Sequence, residues 1–419
     1  MKRILIVIMV VALGALGLGL VACGGSTTTT TGVPETTVTT AGEVTTTSAA
    51  APSGEPIKIG ALLDFTGPIA DLGPMFQTGI EIALAEAGNQ VAGRPIELIV
   101  EDTATSVDTA VTKGKKLVEQ DGVKIIIGPL MGDAHLALAP YMSEKKVIIT
   151  SLINGMYDVL KYKPNTYLIY PTTVDAQTYG FGEYCYKELG YKTAVTVGAD
   201  YAGKRGYVAG WIQGFKAAGG TIVQEIYPPV GTADYSPFVS QIGDADVVMY
   251  ALEGPQAVSK FIFQYNQAGK KMPMVTITQD GDYTPAALDQ LGDVALGIPG
   301  ESTYTFQLDT PGNAEFVAAV QKKEGVRFPA SEEANAYVLT KVILAALEAT
   351  GGDDSYEKLW PAIVGTKFDT IQGPLSWSPD GVAVTDAYVT EAEKAPDGQI
   401  VISAPKAKMP SVQDSRVQY

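Results

Sequence analysis

Cysteine and histidine are almost missing from this chain, whose 419 residues include two cysteines and one histidine. A Cys/His or His-rich zinc site needs more of these side chains than that, so none is available. The single His135 stands beside Leu136 and Leu138 at a helix start and reads as structural rather than as a catalytic base. No P-loop occurs, and the glycines from Gly206 to Gly220 fall at helix and cap positions rather than in a dinucleotide fingerprint. Positive charge is also in deficit: 30 basic against 46 acidic residues give a net charge of -16. That balance excludes a nucleic-acid backbone or an anionic lipid surface as partner. Past the first 21 residues no apolar run is long enough to span a membrane. No cofactor, no metal and no enzymatic activity are expected.

The exception at the N-terminus is informative. Met1-Lys2-Arg3 precedes an apolar run from Ile4 to Val21, which passes through Leu20-Val21-Ala22-Cys23 into Gly and Thr. The pattern is that of a secretory signal peptide, and the last four residues resemble the lipobox of bacterial lipoproteins. Residues 1–22 are expected to be removed and Cys23 to carry lipid, giving a chain attached on the extracytoplasmic side of the cell membrane through the lipid alone. An uncleaved anchor helix is the alternative. Residues 23–55, mostly Thr, Ser, Ala and Gly, have little to bury and read as a tether. With Cys23 lipidated, Cys185 has no disulfide partner, so the exported domain must rest on its core. About 360 residues remain for it, room for two lobes.

From Ile57 onward, short Val/Ile-rich runs alternate with amphipathic segments. Strands are expected at 57–63, 95–100, 124–128 and 147–150, with helices between them, and the alternation repeats from Thr193 to Thr278. Continuously apolar strands separated by helices predict parallel sheets covered on both faces. Two long helices are expected near 313–324 and 332–349. In open α/β sheets, ligands bind outside the carboxyl ends of the strands. The loops after Leu63, Ile127, Thr150, Val197, Tyr250 and Thr278 are therefore where a site is sought.

The runs Ile59-Gly60-Ala61-Leu62-Leu63-Asp64-Phe65-Thr66-Gly67-Pro68, Gly79-Ile80-Glu81-Ile82-Ala83, Ile96 to Asp102, Ile125 to Leu130 and Gln372-Gly373-Pro374-Leu375-Ser376-Trp377 with Asp380-Gly381 carry a resemblance. Together, from about Ile57 to Ile402, they resemble type I periplasmic binding proteins of the leucine/isoleucine/valine (branched-chain amino acid) family of ABC importers. The resemblance implies an α/β fold of two Rossmann-like lobes joined by a three-segment hinge. Lobe 1 would comprise 56–172 and 303–370, and lobe 2 would comprise 173–302 and 371–405, followed by a tail at 406–419. Crossings are implied near Tyr170–Thr173, Ile298–Thr303 and Thr370–Gln372.

The resemblance also implies a site. Lobe 1 would grip a ligand carboxylate through Leu130, Met131 and Gly132 after the third strand, and through Leu152, Ile153 and Asn154 after the fourth. Gly132 brings no hydroxyl where the family carries Ser, and Leu152-Ile153 are bulkier than the family's residues there. Asp133 is expected to cap its helix. In lobe 2, Asp280 of Gln279-Asp280-Gly281 is the candidate for an ammonium group, although Asp-Gly is also a common turn. Tyr201 matches a cleft tyrosine. Glu253 falls where the family has an aromatic, and would either favour positive charge or cap the helix that follows. Phe65, with Asp64, Tyr157 and Tyr283, lies on adjacent loops and would wall the pocket.

The function expected is capture of an amino acid, amide or small organic acid for an ABC permease. A ligand-sensing domain for a membrane receptor and a hydrolase on the same frame are the alternatives.

Overall fold

The computed structural model describes residues 53–153, 155–278 and 283–410. The expected leader, Cys23 and nearly all of the tether lie outside the described residues, as do Asn154 and Asp280. Among the described residues no helix is long and apolar enough to cross a membrane.

The first lobe runs β1 (Ile57–Leu63), α1 (Leu72–Glu86), β2 (Gln90–Val91), β3 (Arg94–Asp102), α2 (Val107–Glu119), β4 (Ile125–Ile127), α3 (Gly132–Lys145), β5 (Ile148–Thr150) and β6 (Tyr167–Leu168). The second runs α4 (Val174–Lys187), β7 (Thr193–Gly198), α5 (Ala202–Ala217), β8 (Thr221–Ile226), α6 (Ser236–Gln241), β9 (Val247–Ala251), α7 (Gly254–Gln267), β10 (Met274–Ile277), α8 (Pro285–Leu291) and β11 (Pro299–Ser302). The chain then returns to lobe 1 through α9 (Asn313–Glu324), α10 (Ser331–Ala349), α11 (Tyr356–Val364) and a small sheet of β12 (Lys367–Thr370), β13 (Gly373–Trp377) and β14 (Ala383–Val384). It ends in lobe 2 with β15 (Asp386–Lys394), β16 (Ile400–Ile402) and β17 (Ala407–Pro410).

The lobe 1 sheet has the order β2-β3-β1-β4-β5-β6, and the lobe 2 sheet β16-β15-β11-β10-β9-β7-β8. Strands β1, β3, β4, β5 and β6 pair in parallel, as do β7 to β11. The apolar strand sequences follow from burial on both faces. Ile57, Ile59, Ala61, Leu63, Ile125 and Ile127 enter one core with α1 and α10, while Leu62, Ile126 and Ile149 enter another with α2 and α3. In lobe 2, Val195, Val248 and Tyr250 face one core, and Ala194, Met249 and Val275 the other.

The loops after β1 and β3 are tied to each other by exchanged carboxylates. The Asp64 Oδ1 accepts from the Thr105 amide (2.5 Å) and the Thr103 hydroxyl (2.7 Å). The Asp102 carboxylate accepts from the Phe65 amide (3.0 Å) and the Thr66 hydroxyl (2.7 Å).

Besides Ala407–Pro410, which fall in the expected tail and pair as β17 with β15, two features differ from the sequence reading. Residues 371–384, expected in lobe 2, pack on lobe 1. Leu375, Trp377 and Ala383 are buried in its core, and Ile169 bonds both Gly381 and Ala383 through its backbone. The apolar faces of Leu375 and Trp377 hold this hairpin back, so the last crossing comes between β14 and β15. The second feature is α4, which was not anticipated. Its Gly182 is required by packing: a Cβ there would stand 2.1 Å from the Trp211 carbonyl oxygen of α5. Likewise a Cβ on Gly214 of α5 would stand 1.9 Å from the Tyr179 carbonyl oxygen of α4.

Backbone contacts that close leave no slack. Gly214→Ala should lower stability by about 2 kcal/mol through overpacking, measured by urea unfolding. A neutral or stabilising result, as expected from alanine's better helix propensity alone, would show that the two helices are not in such contact.

Candidate functional site

The strand order sets the place of the site. In lobe 1, β1 has β3 on one side and β4 on the other; in lobe 2, β7 has β8 on one side and β9 on the other. Each is a topological switch point, where the following helices diverge to opposite faces and leave a crevice. The helices that follow these strands are α1 and α3 in lobe 1 and α5 and α7 in lobe 2. Their first residues meet in one cavity between the lobes, of about 500 Å³ including space open to solvent. Leu72 of α1, Gly132 of α3, Gly203 and Lys204 of α5, and Gly254 of α7 line it, together with Val174 at the start of α4. The approach is close: a Cβ on Gly132 would stand 3.7 Å from the Gly203 amide nitrogen.

None of these five helices has a side-chain cap. Ser106 caps α2 and Thr284 caps α8, neither of which lines the cavity, while α6, α9 and α11, also away from it, share the lack of a side-chain cap. The amides of the first turn and the positive ends of the helix dipoles are therefore directed at the cleft. Asp133 sits in the first turn of α3 and makes no capping bond.

Six of the residues expected from sequence come together on the cavity wall: Leu130, Met131, Gly132 and Ile153 from lobe 1, and Tyr201 and Glu253 from lobe 2. Leu152 is instead fully buried in the lobe 1 core, and its carbonyl accepts from Asn335 Nδ2 (2.9 Å). Phe65 packs against the same core and is not on the wall. Asp64 is engaged in the loop exchange described above. Tyr157 is largely exposed, whereas Tyr283 is buried with its hydroxyl 3.4 Å from that of Tyr250.

The sequence reading missed Lys204 and Tyr207. Lys204 is 1% exposed, with its ammonium 5.3 Å from the centroid of the Tyr207 ring. The signal was present: Lys204 stands four residues before Val208, seven before Trp211 and eleven before Phe215, on the buried stripe of α5. The Tyr207 hydroxyl donates to the Ile153 carbonyl across the cleft (2.9 Å) and so bonds lobe 2 to lobe 1. The loop bearing Leu152 and Ile153 is also tied to the hinge. Asn335 Oδ1 accepts from Gln372 Nε2 (2.8 Å), Gln372 Oε1 accepts from the Tyr170 hydroxyl, and the Gln372 carbonyl accepts from Tyr388 (3.1 Å).

A model of the periplasmic binding protein family matches residues 56–399. The chain belongs to the periplasmic binding protein family. It is 28% identical over 353 residues to a Leu/Ile/Val-binding protein homolog of Brucella melitensis, covering 82% of this chain and 89% of the relative. An ABC transporter substrate-binding protein from Sphaerobacter thermophilus superposes with a TM-score of 0.77 at 29% identity, covering 85% of this chain and 98% of that one. A solute binding protein of an ABC transporter from Rhodopseudomonas palustris, solved with 3,4-dihydroxybenzoic acid, gives 0.79 at 26%, covering 86% and 99%. This family is one of non-catalytic substrate-binding proteins, and the two-lobe α/β fold is the family's type I architecture.

His135 is in keeping with a binding protein. It is fully buried and lies edge-on to Tyr167, with ring centroids 5.5 Å apart. Burial lowers its pKa to about 4, against a smaller opposing pull from the Pro129 carbonyl. The folded chain keeps this imidazole neutral, while the unfolded chain protonates it near pH 6.5. Its contribution is complete above that pH and is lost as pH falls toward 4, a loss of about 3 kcal/mol if burial alone acts. Burial raises the pKa of Glu333 and of Asp64, and these two act in the opposite direction. The difference in urea stability between the parent and His135→Leu should therefore change with pH between 6.5 and 4, the parent losing more. A difference that stays constant over that range would contradict the assignment.

Proposed function

We propose that this periplasmic binding protein captures an amino acid or a similar small polar organic solute between its lobes and presents the closed form to an ABC permease. Lipid on Cys23 would hold it at the outer face of the cell membrane. The observation that carries the reading is the convergence of six residues from both lobes on one cavity at paired switch points. Leu130, Ile153 and Met156 give the cavity an apolar body, while Lys204 and Glu253 bring both signs of charge to its wall. Such a mixture suits a small molecule with an apolar body and polar ends. The names of relatives point the same way, with a Leu/Ile/Val-binding homolog and a protein solved with an aromatic acid among them. Among the described residues no feature of the cleft favours the sensing or hydrolase readings.

The test is a thermal-shift screen of amino acids, amides and aromatic acids on the full chain, beside Cys23→Ser. A solute that binds only the folded state at 100 times its Kd adds about 2.7 kcal/mol of stability. One chemical class should raise the melting temperature, with the same profile in Cys23→Ser, which should move to the soluble fraction. A flat response to every class would refute solute capture, and a variant still at the membrane would refute the lipid attachment.

A further inference from the structure

This inference rests on the solute-binding reading and narrows the solute. We propose that Glu253 accepts a hydrogen bond from an N–H or O–H group of the ligand. The cleft would then select small solutes that carry a donor beside an apolar body, over solutes of the same shape without one. Glu253 occupies the N-cap position of α7, where a carboxylate would ordinarily turn back onto the amides of its own helix. It does not do so. Its Oε1 accepts instead from the Gly231 amide (2.8 Å), which fixes the orientation of the carboxylate. The other oxygen, Oε2, is buried and takes no hydrogen bond.

An anionic oxygen withdrawn from water with no donor is unfavourable. Here it belongs to a side chain on the wall of the ligand cavity. The next residue, Gly254, is buried and also lines the cavity, and among the described residues no atom outside its chain neighbours and its own helix falls within 4 Å of where its Cβ would stand. The apolar walls of Leu130, Ile153 and Met156 suit the remainder of such a ligand. An ammonium and a hydroxyl both supply the required donor, so the experiment separates them.

The test uses the full chain and Glu253→Gln with two matched pairs of probes, read by calorimetry and thermal shift. One pair is leucine and 4-methylpentanoate, which differ by the ammonium. The other is 4-hydroxybenzoate and benzoate, which differ by the hydroxyl. In at least one pair the donor-bearing probe should bind about tenfold or more tighter, as a charge-assisted bond would give. Glu253→Gln should erase that difference, since its amide retains the Gly231 contact but loses the anionic acceptor. The ligand-free variant should melt no lower than the parent, because an unpaired buried charge has been removed. Equal binding within both pairs, a difference undiminished in the variant, or a ligand-free variant that melts several degrees lower would each overturn the proposal alone. Failure of the parent to bind any of the four would overturn the proposal, while the solute reading stands or falls on the wider screen.

Discussion

The constraint on which this molecule depends is the switch point in each parallel sheet. Where β1 lies between β3 and β4, and β7 between β8 and β9, the succeeding helices must depart to opposite faces. Their N-terminal ends border a gap that no neighbouring element fills. With the carboxyl ends of two such sheets on one cavity, α1, α3, α5 and α7 all begin at its wall. The location of the site thus follows from connectivity, and side chains only tune what it takes.

The four helices carry no side-chain caps, a lack they share with α6, α9 and α11. First-turn amides need partners, and side-chain caps satisfy them at α2 and α8, away from the cleft. At the cleft the caps are absent, and Glu253, placed where a cap would be, bonds Gly231. Burying Lys204 and half-burying Glu253 there costs stability that a purely apolar wall would not. Large cores on both faces of each sheet offset that cost. The Tyr207 bond to Ile153 joins the lobes directly, while Asn335 and Gln372 connect the Ile153 loop to the hinge. The Ile153 loop and the crossings are thereby parts of one hydrogen-bond network.

Much of this was legible in the sequence. The apolar runs at Ile57–Leu63 and Val247–Ala251 give buried parallel strands, and the rule of strand carboxyl ends leads to the loops that hold Leu130, Ile153, Tyr201 and Glu253. Helix α4 was not legible, because Gly180 and Gly182 lower local helix propensity, and the backbone contact with α5 that Gly182 serves is visible only in three dimensions. The hairpin that includes Trp377 was placed in the wrong lobe for a related reason: which core a short strand joins is decided by tertiary packing, and its local pattern carries no address. Leu152 and Ile153 are adjacent, yet one faces the core and the other the cleft, an alternation that a loop does not announce. Lys204 was overlooked because lysine is ordinarily solvated, although its position on an apolar helical stripe marked it as unusual.

The central claim is that helix ends from both lobes hold one solute together, and amide hydrogen exchange addresses it most directly. With a stabilising solute added, exchange should slow in the first turns of α3 and α5 together, around Gly132–Ala134 and Gly203–Arg205, and remain unchanged in the capped first turn of α2. Protection limited to one lobe, or absent from both while the solute is bound, would contradict the account.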